Sequence, residues 1–191
     1  MSTIKVDTIQ KTNGSAPELS DLGVTTGYEH HWWAYNGSQG LSADSVDVLD
    51  SFTTLHNVSS TYHNYYKQLG STSFTESSGV FTFPRTGTWK IDFVLNVQDN
   101  DASSRHLNAI IDISNDSGNN YVQFYGGYGA FIYVTSNTYA QVHATRLVNV
   151  TDTSTFRCRL KGLSNTALDV VRTYPNTAFT NVIFERVSDA Q

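Results

Sequence analysis

The sequence predicts an all-β protein built as a two-sheet sandwich or jelly roll. Three observations carry this. Apolar and polar residues alternate with period two in a series of short runs. Clusters rich in Gly, Pro, Asn, Asp and Ser separate those runs at intervals of about ten residues. Aromatics make up 13% of the chain while charged residues are only 15%, against about a quarter in an average globular protein. Strong helix formers are scarce, and no long helical stripe or repeat of fixed period appears.

The elements follow in order. Residues 1–27 form an N-terminal arm with too few apolar side chains for a core of its own. Ile4, Val6 and Ile9 give it a brief alternating strand. The segment Lys11–Ser15 has linker composition, and Pro17 to Gly23 can form one helical turn. Residues 28–191 read as the sandwich domain. Trp32-Trp33-Ala34-Tyr35 opens it as a strand. Val80-Phe81-Thr82-Phe83 leads through Pro84-Arg85-Thr86-Gly87 into a run in which Trp89, Ile91, Phe93, Leu95 and Val97 share one face. The Pro-x-x-Gly between two alternating runs predicts a hairpin turn. Leu107, Ala109, Ile111 and Ile113 repeat the alternation. Asn115 to Asn119 then turns the chain into Tyr121–Tyr125. A strand is expected over Tyr139–Val150. In the next, Phe156, Cys158 and Leu160 face one way and Arg157, Arg159 and Lys161 the other. The closing strand, Phe179–Val187, is apolar on both faces, which predicts a central or interfacial position.

Size and charge narrow the function. A chain of 191 residues and 21.2 kDa is one domain that needs no disulfide staple, and it has a single cysteine, Cys158. A net charge of −5 gives no basic excess for phosphates, so no nucleic-acid partner is expected. No run reaches the roughly 20 apolar residues of a membrane span, so no membrane insertion is expected. A basic patch followed by an apolar run is not seen at the N-terminus, so no export signal is expected.

Candidate chemistry is sparse, and neither a catalytic residue, a metal site nor a cofactor is assigned. His30 and His31 are adjacent on a strand, point to opposite faces and cannot chelate one ion together. His56, His63, His106 and His143 lack ligand spacing on a helix. Three copies of one histidine on a threefold axis could hold a transition metal; exposed or hydrogen-bonded histidines are the plainer reading. Asp99-Asn100-Asp101 offers oxygen ligands, but the calcium-loop pattern with its closing Glu is missing. Cys158 alternates with core residues and reads as a small buried hydrophobe. No Gly-x-Ser-x-Gly elbow occurs, and Glu18, Glu29, Glu76 and Glu185 stand in no suggestive context.

The stretch from Tyr121 to Tyr139 is dense in aromatics, with Gly126, Gly127 and Gly129 between them. Small neighbours let rings lie flat. Tyr125, Tyr128, Phe131 and Tyr133 are therefore candidates for a subunit interface or for a glycan-stacking platform, with burial in an interface or in the core the plainer reading. The 3 Trp, 11 Tyr and 10 Phe exceed the expected needs of one sandwich core, which favours mutual covering by several copies.

Two resemblances add to this. Gly79-Val80-Phe81-Thr82-Phe83-Pro84-Arg85-Thr86-Gly87-Thr88-Trp89 resembles a hairpin motif of the complement globular-head and tumour-necrosis-factor superfamily. The Lys90–Val97 strand, the closing Ala178–Phe184 and the opening Trp32–Tyr35 are similar to that family too. The resemblance spans about residues 28–187. It implies a ten-stranded jelly roll that assembles as a compact homotrimer without enzymatic activity. Met1–Gln10 resembles the opening of fibre and decoration proteins of marine bacteriophage virions. That implies a virion structural protein made in a bacterial host cytoplasm. Its arm would anchor it to other virion proteins through Ile4, Val6 and Ile9, and its knob would act as a short fibre in host attachment or as a capsid decoration. The knob would have itself, and a host surface glycan, as partners. A soluble carbohydrate-binding module is the alternative expectation, and an enzyme acting on surface glycans is the least favoured.

Overall fold

The computed structural model describes residues 29–54, 74–99, 105–131, 138–167, 170–172 and 180–191. These residues form thirteen strands and no helix. The strands are β1 (Glu29–Tyr35), β2 (Ser38–Gly40), β3 (Ser45–Val48), β4 (Phe52–Thr54), β5 (Thr75–Ser77), β6 (Val80–Thr82) and β7 (Gly87–Asp99). After them come β8 (His106–Ser114), β9 (Val122–Ala130), β10 (Thr138–Val150), β11 (Arg157–Ser164), β12 (Val170–Arg172) and β13 (Asn181–Ser188).

Two sheets face each other, as the sequence predicts. In the first, β10 pairs with β7 over the full length of both strands, from Thr138 opposite Asp99 to Val150 opposite Gly87. The other edge of β7 meets β13 and, near its end, β12; β1 and β4 continue beyond β13, and β2 beyond β12. The second sheet runs β5-β6-β11-β8-β9. β3 lies beside β11, joined by Leu49 N–H donating to Leu160 O at 2.9 Å and Asp44 N–H to Ser164 O at 2.9 Å.

Period-two patterning sets the core. Trp89, Ile91, Leu95 and Val97 of β7 are completely shielded and Phe93 nearly so, and they meet Leu107, Ala109 and Ile111 of β8 and Phe156, Cys158 and Leu160 from across the sandwich. One end of the core is almost wholly aromatic. Phe74 packs on Phe184 at 4.6 Å between ring centroids, Phe83 on Phe156 at 4.9 Å, and Trp33 edge-on to Phe81 at 5.5 Å. Such pairs add about 0.5–1.5 kcal/mol each beyond their buried area. The sandwich therefore absorbs more rings than composition suggested. Among the described aromatics, those left well exposed are Tyr125, Tyr128 and Tyr139.

One expectation is overturned, and two others gain detail. First, Pro84–Gly87 is not a hairpin turn. β6 belongs to the second sheet and β7 to the first, so this segment carries the chain across the sandwich. Phe83 and Trp89 meet edge-to-face at 5.2 Å, as rings on opposite layers do. The true hairpin lies just before it. Ser77 pairs with Val80 around Ser78 and Gly79, whose φ values of 51° and 79° are those of a two-residue type I′ turn. A Cβ on Gly79 would also lie 2.8 Å from Leu49 O. Second, β13 is central in its sheet but buried on one face only. Val182 and Phe184 are in the core, whereas Ile183 is half-buried and Val187 is exposed. Third, Lys161 points away from the core as expected yet is buried, because Asp112 on β8 draws its ammonium down onto the sheet. Residues 1–27, with Ile4, Val6 and Ile9, lie outside the described residues.

Candidate functional site

The aromatic stretch singled out from the sequence becomes β9, the edge strand of the second sheet. It stands against β10, the edge strand of the first. Gly126 and Gly129 serve this approach rather than flat ring stacking. A Cβ on Gly126 would lie 2.5 Å from the Ala144 Cβ and 2.8 Å from His143 O, and one on Gly129 would strike Val142. The two edges thus close one flank of the sandwich, with a register shift in β9 between the partners of Asn108 and Ile110.

Closure sorts the predicted platform. Tyr125 and Tyr128 lie opposite Ile110 and Asn108 on the outer face, 47% and 73% exposed. Tyr139 of β10, 53% exposed, points instead to the outer face of the first sheet, opposite Gln98 of β7. Phe131 does not belong with them, for it packs against the core. Tyr133 lies outside the described residues. Tyr125 and Tyr128 line the outer side of the β9 edge, where the Tyr125 hydroxyl donates to Gln123 Oε1 at 3.1 Å.

A second apolar surface lies on the outer face of the first sheet. Trp32 of β1 pairs with Ile183 of β13, and Val94 of β7 stands beside them opposite Asn181. All three are half-buried. Trp32 Nε1 donates to Asn181 Oδ1 at 3.2 Å, and Lys90 Nζ bonds Asp92 Oδ2 at 2.6 Å on the same face.

The remaining candidates resolve individually. His30 and His31 do point to opposite faces. His31 is buried, bonds Glu29 Oε2 at 2.9 Å, and stacks beside Phe74 and Trp89. Burial lowers its pKa against the opposing pull of Glu29. Arg85 reaches the other oxygen of Glu29. Sequence reading missed this Glu29–His31–Arg85 cluster, although Glu29 and His31 at i and i+2 on a strand signal a shared face. His56 and His63 are outside the described residues. Asp99 is buried at the end of β7, and Asn100 and Asp101 are not described. Among the described residues no three His, Cys, Asp or Glu side chains gather where they could hold a metal ion. Cys158 is fully buried, and burial pushes its thiol pKa far up, so the group is an inert hydrophobe. The Asn115–Asn119 segment is a turn held by Asp116, which accepts from Ser114 Oγ at 2.6 Å and Asn120 N–H at 2.9 Å.

Sequence reading also missed an ionic cluster on the outer face of the second sheet. Asp112 Oδ2 receives Lys161 Nζ at 2.5 Å and Arg159 Nη2 at 2.8 Å, and the Arg159 guanidinium lies 3.4 Å above the Tyr121 ring.

The described strands define a tumour-necrosis-factor-like jelly roll, two sheets closed along one flank by neighbouring edge strands. Among solved structures, murine APRIL superposes with a TM-score of 0.52 and 6% identity, covering 84% of this chain and all of that one. The Eiger TNF of S. frugiperda gives a TM-score of 0.52 and 10% identity, covering 86% and 95%. At such identities the likeness is one of fold. No protein-family model matches the sequence, and no curated protein sequence matches it.

Proposed function

We propose that this protein is a non-enzymatic structural component of a bacteriophage virion, a trimeric knob anchored by its N-terminal arm. It acts as a short host-attachment fibre or a head-decoration protein. The observation that carries self-association is the pairing of two different apolar surfaces on one chain. The β9 edge presents Tyr125 and Tyr128, and the outer face of the first sheet presents Trp32, Ile183 and Val94, with Tyr139 on that same face at its β10 edge. A patch that fits a different patch on the next copy gives a head-to-tail contact, and three such contacts close into a ring. Burying rings and aliphatic side chains in this way is the mark of an obligate interface. The virion assignment rests on the resemblance of Met1–Gln10 to virion proteins. In this reading Ile4, Val6 and Ile9 add a strand to a neighbouring virion protein or pack into its groove.

The mass in solution tests the assembly. About three times 21.2 kDa is expected. Ile183→Lys and Tyr128→Lys each place a charge in the contact and reduce the mass to that of one chain. A wild-type protein that is monomeric at micromolar concentration refutes the trimer. Deleting residues 1–15 tests the anchor, since particles that retain the truncated protein at normal occupancy exclude it. A second reading, a soluble carbohydrate-binding module, is favoured by the exposure of Tyr128. Loss of glycan binding in Tyr128→Ala, in a protein absent from particles, would select it.

A further inference from the structure

The flank between β9 and β10 carries a cation where alternation would put a core residue. Arg146 shares one side of β10 with Ala144 and Val148, both buried, yet is itself exposed. β9 is pressed against β10 at Gly126 and Ala144, but toward Phe124 and Val148 the two edges part. The Arg146 guanidinium comes to rest there over the Phe124 ring, 4.8 Å from its centroid. It makes no ion pair with a carboxylate among the described residues. Its surroundings on β9 are apolar: Phe124 beneath it, Val122 at 62% exposure, and Tyr125 on the outer side of the same edge.

The outer face of the first sheet is complementary. Trp32, Ile183, Asp92 and Thr145 stand side by side on β1, β13, β7 and β10. Asp92 is therefore one strand spacing, about 4.8 Å, from Ile183. Its Oδ2 takes Lys90 Nζ at 2.6 Å, and its Oδ1 takes the Thr145 hydroxyl. Two carboxylate oxygens offer about four acceptor sites, so room is left for a guanidinium. In the next row Glu185 lies between His30 and Lys90. Around Ile183 two carboxylates thus stand against one ammonium. Asp92 and Arg146 cannot meet within one chain. Asp92 points out from the sheet with Thr145, whereas Arg146 shares the other side with Ile91.

We propose that Arg146 pairs with Asp92 of a neighbouring copy and so fixes the register of the head-to-tail contact. The pairing rests on the self-association proposed above and names the residues that key it. Covering the flank takes Arg146 out of water, and a guanidinium desolvated without a counter-ion opposes association. The facing surface supplies one in the right setting. Asp92 lies beside Ile183 and in line with Trp32, as Arg146 lies on the ring next in the chain to Tyr125. When Tyr125 covers Ile183, the guanidinium falls within reach of the carboxylate. Phe124 already holds the Arg146 head in place, so little side-chain freedom is lost on pairing. Apolar contacts supply the buried area, and the ion pair selects which surfaces fit and in what register.

Sedimentation equilibrium on the full chain tests the pairing, with wild type expected at about three times 21.2 kDa. Arg146→Glu and Asp92→Lys each set like charges face to face. Each raises the concentration of half-assembly at least about tenfold, the coupling of one close charge pair. Both changes in one chain restore the pair with its signs exchanged and bring half-assembly back to within about threefold of wild type. The neutral set of Arg146→Gln, Asp92→Asn and the double variant serves where a charge reversal disturbs folding. There each single change weakens assembly, and the double is no weaker than the poorer single. A trimer undisturbed by Arg146→Glu, a reversed double that does not recover, or neutral changes that simply add each overturn the pairing and leave the trimer standing. A monomeric wild type overturns both.

Discussion

Asp112 offers the sharpest test of how the second sheet is held. Its carboxylate is completely shielded, and Oδ2 is shared by Lys161 and Arg159, whose side chains are 8% and 25% exposed. Asp112→Leu keeps the volume and removes the charge. Arg159 retains partial hydration and the Tyr121 ring, so it loses little. Lys161 is stranded, with its ammonium already out of water. Breaking a buried pair from one side costs about 3–5 kcal/mol, and the lower end applies because Arg159 is only partly desolvated. For a chain of this size about 3 kcal/mol corresponds to a fall in Tm of roughly 6–12 °C. Lys161→Met alone costs less, since Arg159 still pairs with Asp112. The double variant Asp112→Leu/Lys161→Met returns to within about 1 kcal/mol of wild type, because an apolar pair replaces the ionic one. Urea unfolding of the four proteins closes the cycle. A single Asp112→Leu within about 0.5 kcal/mol of wild type would refute the reasoning. A double variant as unstable as the single would do the same.

Other outcomes follow from named contacts. The lowered pKa of His31 means that the native state holds the neutral ring, so its contribution to stability is complete above the unfolded value near 6.5. That contribution is lost as pH falls below 6.5 toward the folded pKa; urea midpoints between pH 8 and 5 should show the loss in wild type and a flatter profile in His31→Gln. Gly126→Ala drives β9 off β10 and should cost about 1–3 kcal/mol in thermal melts, partly restored by Ala144→Gly, which removes the facing Cβ. Cys158 should react with a thiol reagent only at the rate of global unfolding, and fast modification of the native protein would contradict its burial.

What could be read in advance was whatever depends on period two. The inward faces of β7, β8 and β11, the burial of Cys158, the opposed directions of His30 and His31 and the Asn115–Asn119 turn all follow from alternation or turn chemistry within a few residues. The Tyr125, Tyr128 and Phe131 set shows where that reach ends. All three carry aromatic rings within one short stretch, yet the β9 register shift and its closure on β10 put two outside and one against the core.

The sequence by itself determined which side of each strand faces the core, because adjacent residues of an extended chain must point to opposite sides. Only the tertiary structure decided which strands are partners. Pro84–Gly87 looks locally like a hairpin and proves to be a passage between layers, since hydrogen bonds to β11 and to β13, far along the chain, assign β6 and β7 to different sheets. The Asp112–Lys161 pair is likewise a product of strand neighbours that no short window of sequence contains.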